Sequence, residues 1–440
     1  MGWRMLAGRV LVVLLVAGQV AVATARAAED RARPNVVVIL ADDFGYECVR
    51  ANGGEYETPR LDELAAGGAR FTLAFATPLC TPSRVELMTG RYNCRNYVSF
   101  GQFDFRETTF AGVLRSQGYR TTVIGKWQLE GGVDGPNRAG FDEHYVWQLT
   151  AEEKGSRYWH PKLFRNGEQV TGVEYKYGPD LCAEAACDFI ERNKDRPFVA
   201  YLPMMLTHGP FEPPPRDDEA APPKKPKGNA KHFPAMVRHL DRNVGRILDK
   251  RSELGLQERT LVVFTGDNGS PREIRSRLGE REIRGGKGTI RDAGWHVPLI
   301  VSWPGRIAAG QVREELVDFT DLFPTLAEAA GVSVPEPSRL DGRSFLPVVL
   351  GKKGTPRDWV YLHYEPRHGN QNNIQRVVRE RRWKLVDDGR LFDLKADPED
   401  ERPVTASSDS SESGAARRRL EAVLAGFPAK APRERSRESQ

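Results

Sequence analysis

One short stretch of the sequence places a cysteine and an arginine at the start of a helix. In Cys80-Thr-Pro-Ser-Arg84 the proline favours a first helical turn, and Val-Glu-Leu-Met-Thr continues the helix. Cys80 then lies just before a helix N-terminus, where backbone N–H groups favour an anion. Arg84 lies one turn further along and can reach the same anion. The pattern therefore predicts an anion site, although a buried structural cysteine beside a chance Pro-Ser-Arg remains the alternative.

Other polar residues follow short apolar runs that stop abruptly. The runs are nearly continuously apolar and β-branched, which is typical of buried, mostly parallel strands. Ligands collect at the carboxyl ends of such strands, so these polar residues are expected to converge although they are far apart in sequence. The residues at or just past the strand ends are Asp42, Asp43, Lys126, His208, Asp267 and Asn268.

Amphipathic helices fit between the apolar runs. One is predicted from Thr58-Pro59, and a second over 232–250 carries one apolar face. The alternation predicts an α/β fold with a large mixed, mostly parallel sheet and helices on both faces. Short alternating strands after Pro335 predict a small C-terminal antiparallel sheet subdomain.

The N-terminus has the pattern of a secretory signal peptide. Arg4 and Arg9 precede an apolar run, and Ala25-Arg26-Ala27 is a small-x-small cleavage site. We therefore expect a signal peptide over 1–27, a catalytic domain over 33–334, the small subdomain over 335–404 and a polar tail over 405–440. The tail is expected to be partly disordered, with one helix possible over 420–427. The chain is expected to be secreted or periplasmic, with no transmembrane span after cleavage.

Composition excludes several function classes. With 39% hydrophobic and 28% charged residues, the chain is neither intrinsically disordered nor membrane-embedded. The net charge is +5, and the basic residues form no dense stripe interleaved with aromatic residues. Nucleic acid is therefore not an expected partner. Five cysteines exclude a disulfide scaffold, and no pairing among them is predicted.

The stretch from Cys80 to Arg91, Cys-Thr-Pro-Ser-Arg-Val-Glu-Leu-Met-Thr-Gly-Arg, resembles the signature of type I sulfatases, members of the alkaline-phosphatase-like superfamily. The resemblance extends over about residues 34–400 in family order. Its further parts are Asp42-Asp43, Gly125-Lys126-Trp127, His208-Gly-Pro-Phe, Asp267-Asn268-Gly, Gly285-Gly-Lys287-Gly-Thr, Trp303-Pro-Gly-Arg and the run from Leu391 to Glu399.

The resemblance implies roles for the nucleophile, the metal ligands and the sulfate-binding residues. Cys80 is oxidised to Cα-formylglycine by a separate formylglycine-generating enzyme, and its hydrated aldehyde attacks sulfur. The implied metal ligands offer oxygen atoms to Ca²⁺, with Mg²⁺ possible; they are Asp42, Asp43, Asp267 and Asn268. The implied cradle of the sulfate consists of Arg84, Lys126, His208 and Lys287, and either His208 or Lys287 protonates the leaving oxygen.

Gln128 departs from the family pattern. The usual Gly-Lys-Trp-His-Leu-Gly reads Gly-Lys-Trp-Gln-Leu-Glu here, and the missing histidine is the family's favoured base for release of sulfate. Glutamine can hydrogen-bond but cannot take a proton at neutral pH. Gln128 is therefore interpreted as a substrate contact, and candidates to replace the base are His144, His160 and His296.

The sequence is thus interpreted as an exported arylsulfatase-like sulfuric ester hydrolase that acts on a sulfate ester, with sulfated carbohydrate as the candidate substrate class. Two alternatives stay open. One is a phosphoric or phosphonic ester hydrolase of the same superfamily. The other is a catalytically weakened protein that binds sulfated glycans, and Gln128 is its only support.

Overall fold

The computed structural model describes residues 33–215, 227–336, 338–366 and 373–430. The predicted signal peptide, 1–27, and the last ten residues of the predicted tail lie outside them. The strands are β1 (Asn35–Ala41), β2 (Ala69–Phe75), β3 (Arg120–Lys126), β4 (Glu143–Trp147), β5 (Leu163–Arg165), β6 (Glu168–Gln169), β7 (Phe198–Pro203), β8 (Thr260–Gly266), β9 (Arg275–Leu278), β10 (Arg281–Arg284), β11 (His296–Ser302), β12 (Gln311–Asp318), β13 (Val360–Tyr364), β14 (Gln375–Arg379), β15 (Trp383–Val386) and β16 (Leu391–Asp393).

The helices complete this alternating pattern of strands and helices. They are α1 (Pro59–Ala66), α2 (Cys80–Thr89), α3 (Asn93–Asn96), α4 (Phe110–Ser116), α5 (Gly135–Arg138), α6 (Gly178–Arg192), α7 (Phe233–Glu253), α8 (Asp292–Trp295), α9 (Leu322–Ala329), α10 (Leu346–Val349) and α11 (Ser411–Ala425). No helix in the described ranges is both long enough and apolar enough to span a bilayer.

Ten strands form one large mixed sheet in the order β12-β2-β11-β8-β1-β7-β3-β4-β5-β6. Its centre, β8-β1-β7-β3-β4, is parallel, and β11 pairs antiparallel with both β2 and β8. The predicted α/β class with a mostly parallel sheet is confirmed.

Both faces of this sheet are buried, as the apolar runs predict. In β1, Val36 and Val38 point into one hydrophobic core and Val37 and Ile39 into the other, because successive side chains alternate between faces. The first core contains side chains of α2, α4 and α9. The second contains side chains of α1, α6 and α7. The five apolar residues predicted for one face of the 232–250 helix are all buried in α7: Val237, Leu240, Val244, Ile247 and Leu248.

A second, antiparallel sheet of order β13-β14-β15-β16 forms the predicted C-terminal subdomain. The boundary predicted at 335 precedes the last elements of the large domain, since Phe345, Leu346 and Val349 pack into the first core. The helix predicted over 420–427 begins earlier, at Ser411. Its Leu420 packs with residues of the small sheet, so this part of the predicted tail covers that sheet.

All five cysteines are free thiols. Cys182 and Cys187, whose spacing disfavours a bridge, both lie in α6.

Candidate active site

The carboxyl ends of the central strands bring the predicted polar residues together. Ala41, the last residue of β1, is in register with Gly266, the last residue of β8. Asp42 and Asp267 therefore follow adjacent strand ends. Lys126 ends β3, and its Nζ lies 2.8 Å from each carboxylate oxygen of Asp42. Both side chains of this ion pair are fully buried.

Cys80 is the first residue of α2, whereas the sequence predicts it just before the helix. Its Sγ and carboxylate oxygens of Asp42 and Asp267 lie within 4.8 Å of one another. Arg84, one turn along α2, donates from Nη1 to the carbonyl oxygen of Lys126 at 2.6 Å. Its Nη2 lies 3.5 Å from Asp267 Oδ2. Cys80 and the strand-end acids thus form one buried cluster.

Asp43 is the centre of a second group of contacts. Lys287 Nζ lies 2.6 Å from Asp43 Oδ2, and Asn268 Nδ2 donates to Asp43 Oδ1 at 2.9 Å. His208 Nε2 is 3.8 Å from Asp43 Oδ2. The side chains of His208 and Lys287 are 27% and 20% exposed, so both are accessible to a substrate.

The charges around the cluster give its three acids, Asp42, Asp43 and Asp267, different pKa values. Burial would raise the pKa of Asp42, but Lys126, His208 and Arg157 hold it below its usual value. Burial would also raise the pKa of Asp43, but His208 and Lys287 lower it, and the pKa lies below its usual value. Burial and the negative charge of Asp42 raise the pKa of Asp267 to about 7. Of the three acids, Asp267 therefore holds a proton most readily.

The donor set fits a hard divalent cation. Asn268 Oδ1 is buried and has no hydrogen-bond partner among the described residues, although its Nδ2 donates to Asp43 and to Gly269 O. A buried acceptor without a donor is costly unless a cation satisfies it. With the carboxylates of Asp42, Asp43 and Asp267 close by, the four predicted ligands supply the oxygen atoms that Ca²⁺ and Mg²⁺ prefer.

Gln128 faces Cys80, with its Oε1 3.9 Å from the Cys80 Sγ. Its backbone has a positive φ of 50°, and its N–H donates to the carbonyl oxygen of Gln148 at 3.1 Å. Gln128 is therefore in position to contact any group bound at residue 80. Its amide can donate and accept hydrogen bonds there but cannot remove a proton at neutral pH.

The three histidines considered as substitutes for the base make contacts of their own. His144 Nε2 accepts from Gly167 N at 2.9 Å, and His160 Nδ1 accepts from Tyr175 N at 3.0 Å. His296 Nε2 lies 2.9 Å from Thr72 O. His144 is also in register with Val123, before the carboxyl end of β3. Among the described histidines, His208 is the one that belongs to the acidic cluster.

Two features of the site have no signal in the sequence. Arg157 Nη1 lies 3.2 Å from Asp42 Oδ2, and the next residue, Tyr158, donates from its hydroxyl to the carbonyl oxygens of Met205 and His208. Both residues lie in a loop whose apolar residues show no helical or strand periodicity, and Arg157 is 115 positions from Asp42 in the sequence.

The other feature is a buried bridge between the loops that follow β1 and β8. Ser270 Oγ donates to Glu47 Oε1 at 2.5 Å and accepts from Gly45 N at 3.3 Å. The bridge joins the two loops that carry the Asp42–Asp43 and Asp267–Asn268 pairs.

Comparison with known proteins gives matches over most of the chain. A family model described as Sulfatase matches residues 34–332, and one described as N-sulphoglucosamine sulphohydrolase, C-terminal, matches 286–424. Arylsulfatase A of Homo sapiens is 34% identical over 372 residues, covering 75% of this chain and 70% of the relative. Arylsulfatase G of Mus musculus is 32% identical over 377 residues, covering 73% and 69%. The solved structure of Ps i-CgsB in complex with k-i-k-neocarrahexaose has a TM-score of 0.75 at 26% identity, covering 90% of this chain and 92% of that one.

Proposed function

The chain belongs to the sulfatase family and is a sulfuric ester hydrolase, and from this premise we propose that it is an exported enzyme acting on sulfated carbohydrates. In this proposal residue 80 provides the nucleophile and a divalent metal occupies the acidic cluster. The observation that carries the proposal is the position of Cys80, whose Sγ lies within 4.8 Å of carboxylate oxygens of both Asp42 and Asp267.

Residue 80 is proposed to act as formylglycine, made from Cys80 by a separate maturation enzyme, and to supply a hydrated aldehyde as nucleophile. Its placement at the first residue of α2 supports this role, because free backbone N–H groups of the first helical turn favour a negatively charged oxygen.

Asp42, Asp43, Asp267 and Asn268 are proposed to hold the metal, Ca²⁺ with Mg²⁺ as the alternative. When bound, the ion supplies polarisation of the sulfate oxygens. Lys126 and the Glu47–Ser270 bridge orient these ligands, since Lys126 holds Asp42 and the bridge joins the two ligand loops.

The cationic side chains are proposed to bind the sulfate. Arg84 and Lys126 are buried beside the acids, whereas His208 and Lys287 are partly exposed on the side open to a substrate. Donors fixed before the reaction stabilise developing negative charge without reorganisation, which is usually the largest contribution to rate.

Lys287 is proposed as the acid that protonates the leaving alcohol. Its ammonium carries the proton and is held by Asp43 at 2.6 Å. His208 Nδ1 lies 2.5 Å from the carbonyl oxygen of Gly209 and must donate to it. The neutral ring then leaves Nε2 as an acceptor, which suits hydrogen bonding with a substrate hydroxyl rather than proton donation.

The proposed substrate class is supported by the signal-peptide pattern and by a structural neighbour. Ps i-CgsB was solved with a neocarrahexaose bound, which supports a carbohydrate ester as the substrate of this chain. The proposed location is outside the cytoplasm, secreted or periplasmic, because of the signal-peptide pattern over 1–27.

The test compares matched sulfate and phosphate esters of one alcohol, using protein produced together with a formylglycine-generating enzyme. We expect sulfate-ester hydrolysis to dominate and to stop on chelation. Preference for the phosphate or phosphonate ester would indicate the alternative hydrolase. Binding of the sulfate ester without release of sulfate would indicate the glycan-binding alternative, which the position of Gln128 beside Cys80 favours.

A further inference from the structure

Arg157 is a cation of the site that the proposed reaction does not use. Its Nη1 lies 3.2 Å from Asp42 Oδ2, and its guanidinium carbon lies 4.0 Å from the centroid of the Trp147 ring. The residue is 7% exposed. Contact with an aromatic face and with a carboxylate fixes both the position and the plane of the guanidinium.

Most of the hydrogen-bonding capacity of Arg157 is not used by the part of the chain that the structure describes. Among the described residues, Asp42 is the one hydrogen-bond partner of its guanidinium. Arginine carries further N–H donors in a planar fork that matches carboxylate and sulfate-like anions. A nearly buried, oriented guanidinium with unused donors is suited to binding an anion.

The charge of Arg157 is only partly compensated by its neighbours. Asp42 is shared between Lys126 and Arg157, so it cannot neutralise both. The carboxylate of Glu212, which is half-buried, also interacts electrostatically with Arg157. A divalent metal held by Asp42 would take up the negative charge of the Asp42 carboxylate and leave Arg157 less compensated.

Arg157 reaches the cluster from a different element than the cations beside residue 80, although it shares Asp42 with Lys126. Arg84 reaches Asp267 from α2, and Lys126 reaches Asp42 from the end of β3. Arg157 comes from the loop between β4 and β5. The neighbouring Tyr158 ties this loop to the carbonyl oxygen of His208, whose side chain is partly exposed. The loop that carries Arg157 is thus tied to the segment of His208, which is proposed to contact the substrate.

We infer that Arg157 is a specificity residue that binds a second anionic group of the substrate, a sulfate or a carboxylate, beside the ester that is hydrolysed. The inference rests on the proposed function and narrows it: the preferred substrates are sulfated carbohydrates that carry a further acidic group.

The test compares three probes: a monosulfated hexosamine, its disulfated form, and a monosulfated disaccharide that contains a uronate. Arg157→Met should lower kcat/KM for the two polyanionic probes at least tenfold relative to the monosulfated one, chiefly through KM. Arg157→Lys should give a ratio of kcat/KM, polyanionic to monosulfated probe, between those of Arg157→Met and the wild type. Lysine keeps the positive charge but lacks the planar fork of donors. If kcat/KM falls only for the disulfated probe, the second anionic group that Arg157 binds is a sulfate. If it falls only for the uronate probe, that group is a carboxylate.

Arg165→Met is the matched control. Arg165 also lies over an aromatic ring, 5.0 Å from the centroid of Tyr145, but it is exposed on β5. This variant should leave the ratio unchanged. In the wild type, the preference for the disulfated probe should fall as salt is raised, because salt screens the interaction. If Arg157→Met does not fold, the same ratio measured for Arg157→Lys decides the matter, because it should fall below the wild-type value when the fork is lost.

Binding to the Cys80→Ala protein separates the two proposals. If the wild type hydrolyses all three probes and Arg157→Met weakens each equally, the inference is wrong and the sulfatase function stands. If the wild type hydrolyses none of them, the function is wrong. Calorimetric Kd values of the same probes for Cys80→Ala, with and without Arg157→Met, then still decide whether Arg157 binds a second anion.

Discussion

Replacing Gln128 by histidine tests which step limits the reaction. In the wild type, Gln128 Oε1 faces Cys80 Sγ at 3.9 Å, where it cannot accept a proton at neutral pH. We expect attack on the ester to proceed and release of sulfate to be slow. The wild type should therefore give a burst of alcohol of about one equivalent per site, followed by a slow steady rate.

The size of the effect of Gln128→His follows from the local geometry. Histidine is among the residues that tolerate a positive φ, so the φ of 50° at this position does not oppose the substitution. A positioned base contributes about 10²- to 10⁴-fold, with an ideal reach of about 2.6–3.2 Å. Because the observed separation is longer, we expect the lower end, about 10²-fold in the steady rate, or about 2.7 kcal/mol.

Stopped-flow measurement of alcohol and sulfate release checks this prediction. Gln148→His is the matched control, since Gln148 also has a positive φ and accepts a backbone hydrogen bond from Gln128. It should leave the steady rate unchanged. Fast wild-type turnover without a burst would show that another group already acts as the base. An unchanged rate in Gln128→His, with the fold intact, would show that Gln128 is a substrate contact fitted to this ester.

Three further predictions concern the metal, the ligand loops and the small subdomain. Since burial and Asp42 raise the pKa of Asp267 to about 7, a cation must displace a proton there below that pH. Apparent Ca²⁺ affinity should therefore fall as pH decreases from 7 to 5, by up to about tenfold per pH unit, measured by calorimetry; a flat profile contradicts the assignment. Ser270→Ala removes the bridge to Glu47 and should weaken Ca²⁺ binding while leaving the fold intact, with an energetic cost of about 1–3 kcal/mol; unchanged affinity in a calcium titration would show that the bridge does not position the ligands. Leu420→Ala should destabilise the protein by about 2–5 kcal/mol in denaturant unfolding, because Leu420 is fully buried; a loss below about 0.5 kcal/mol would mean that α11 contributes little to stability.

The sequence predicted the central sheet and the convergence of the polar residues well, for a physical reason. A strand buried on both faces is marked by its own apolar residues, and its carboxyl end is marked by the polar residue that follows. The register of Ala41 with Gly266 and the ion pair of Lys126 with Asp42 bear out this convergence. The identity of the family came from the longer signature that starts at Cys80, not from these patterns.

Arg157 could not be predicted, because its loop has no periodicity and its contact with Asp42 exists only in the folded chain. The start of α11 was missed for a different reason. Its first turn, beginning Ser411-Glu-Ser-Gly, is polar, and the apolar spacing becomes regular only through Ala416, Leu420 and Leu424. The boundary at 335 was predicted because proline and glutamate there are typical of a linker, a local signal that does not show the packing of Phe345 into the first core.

The most direct test of the account is the mass of the peptide that contains Cys80, measured together with the sulfatase activity of the same preparations. Protein made with increasing amounts of a formylglycine-generating enzyme should contain an increasing fraction of a peptide about 18 Da lighter than the thiol form. Sulfate-ester turnover should rise in proportion to that fraction and vanish in Cys80→Ala. Full activity in protein whose Cys80 remains an unmodified thiol would contradict the account.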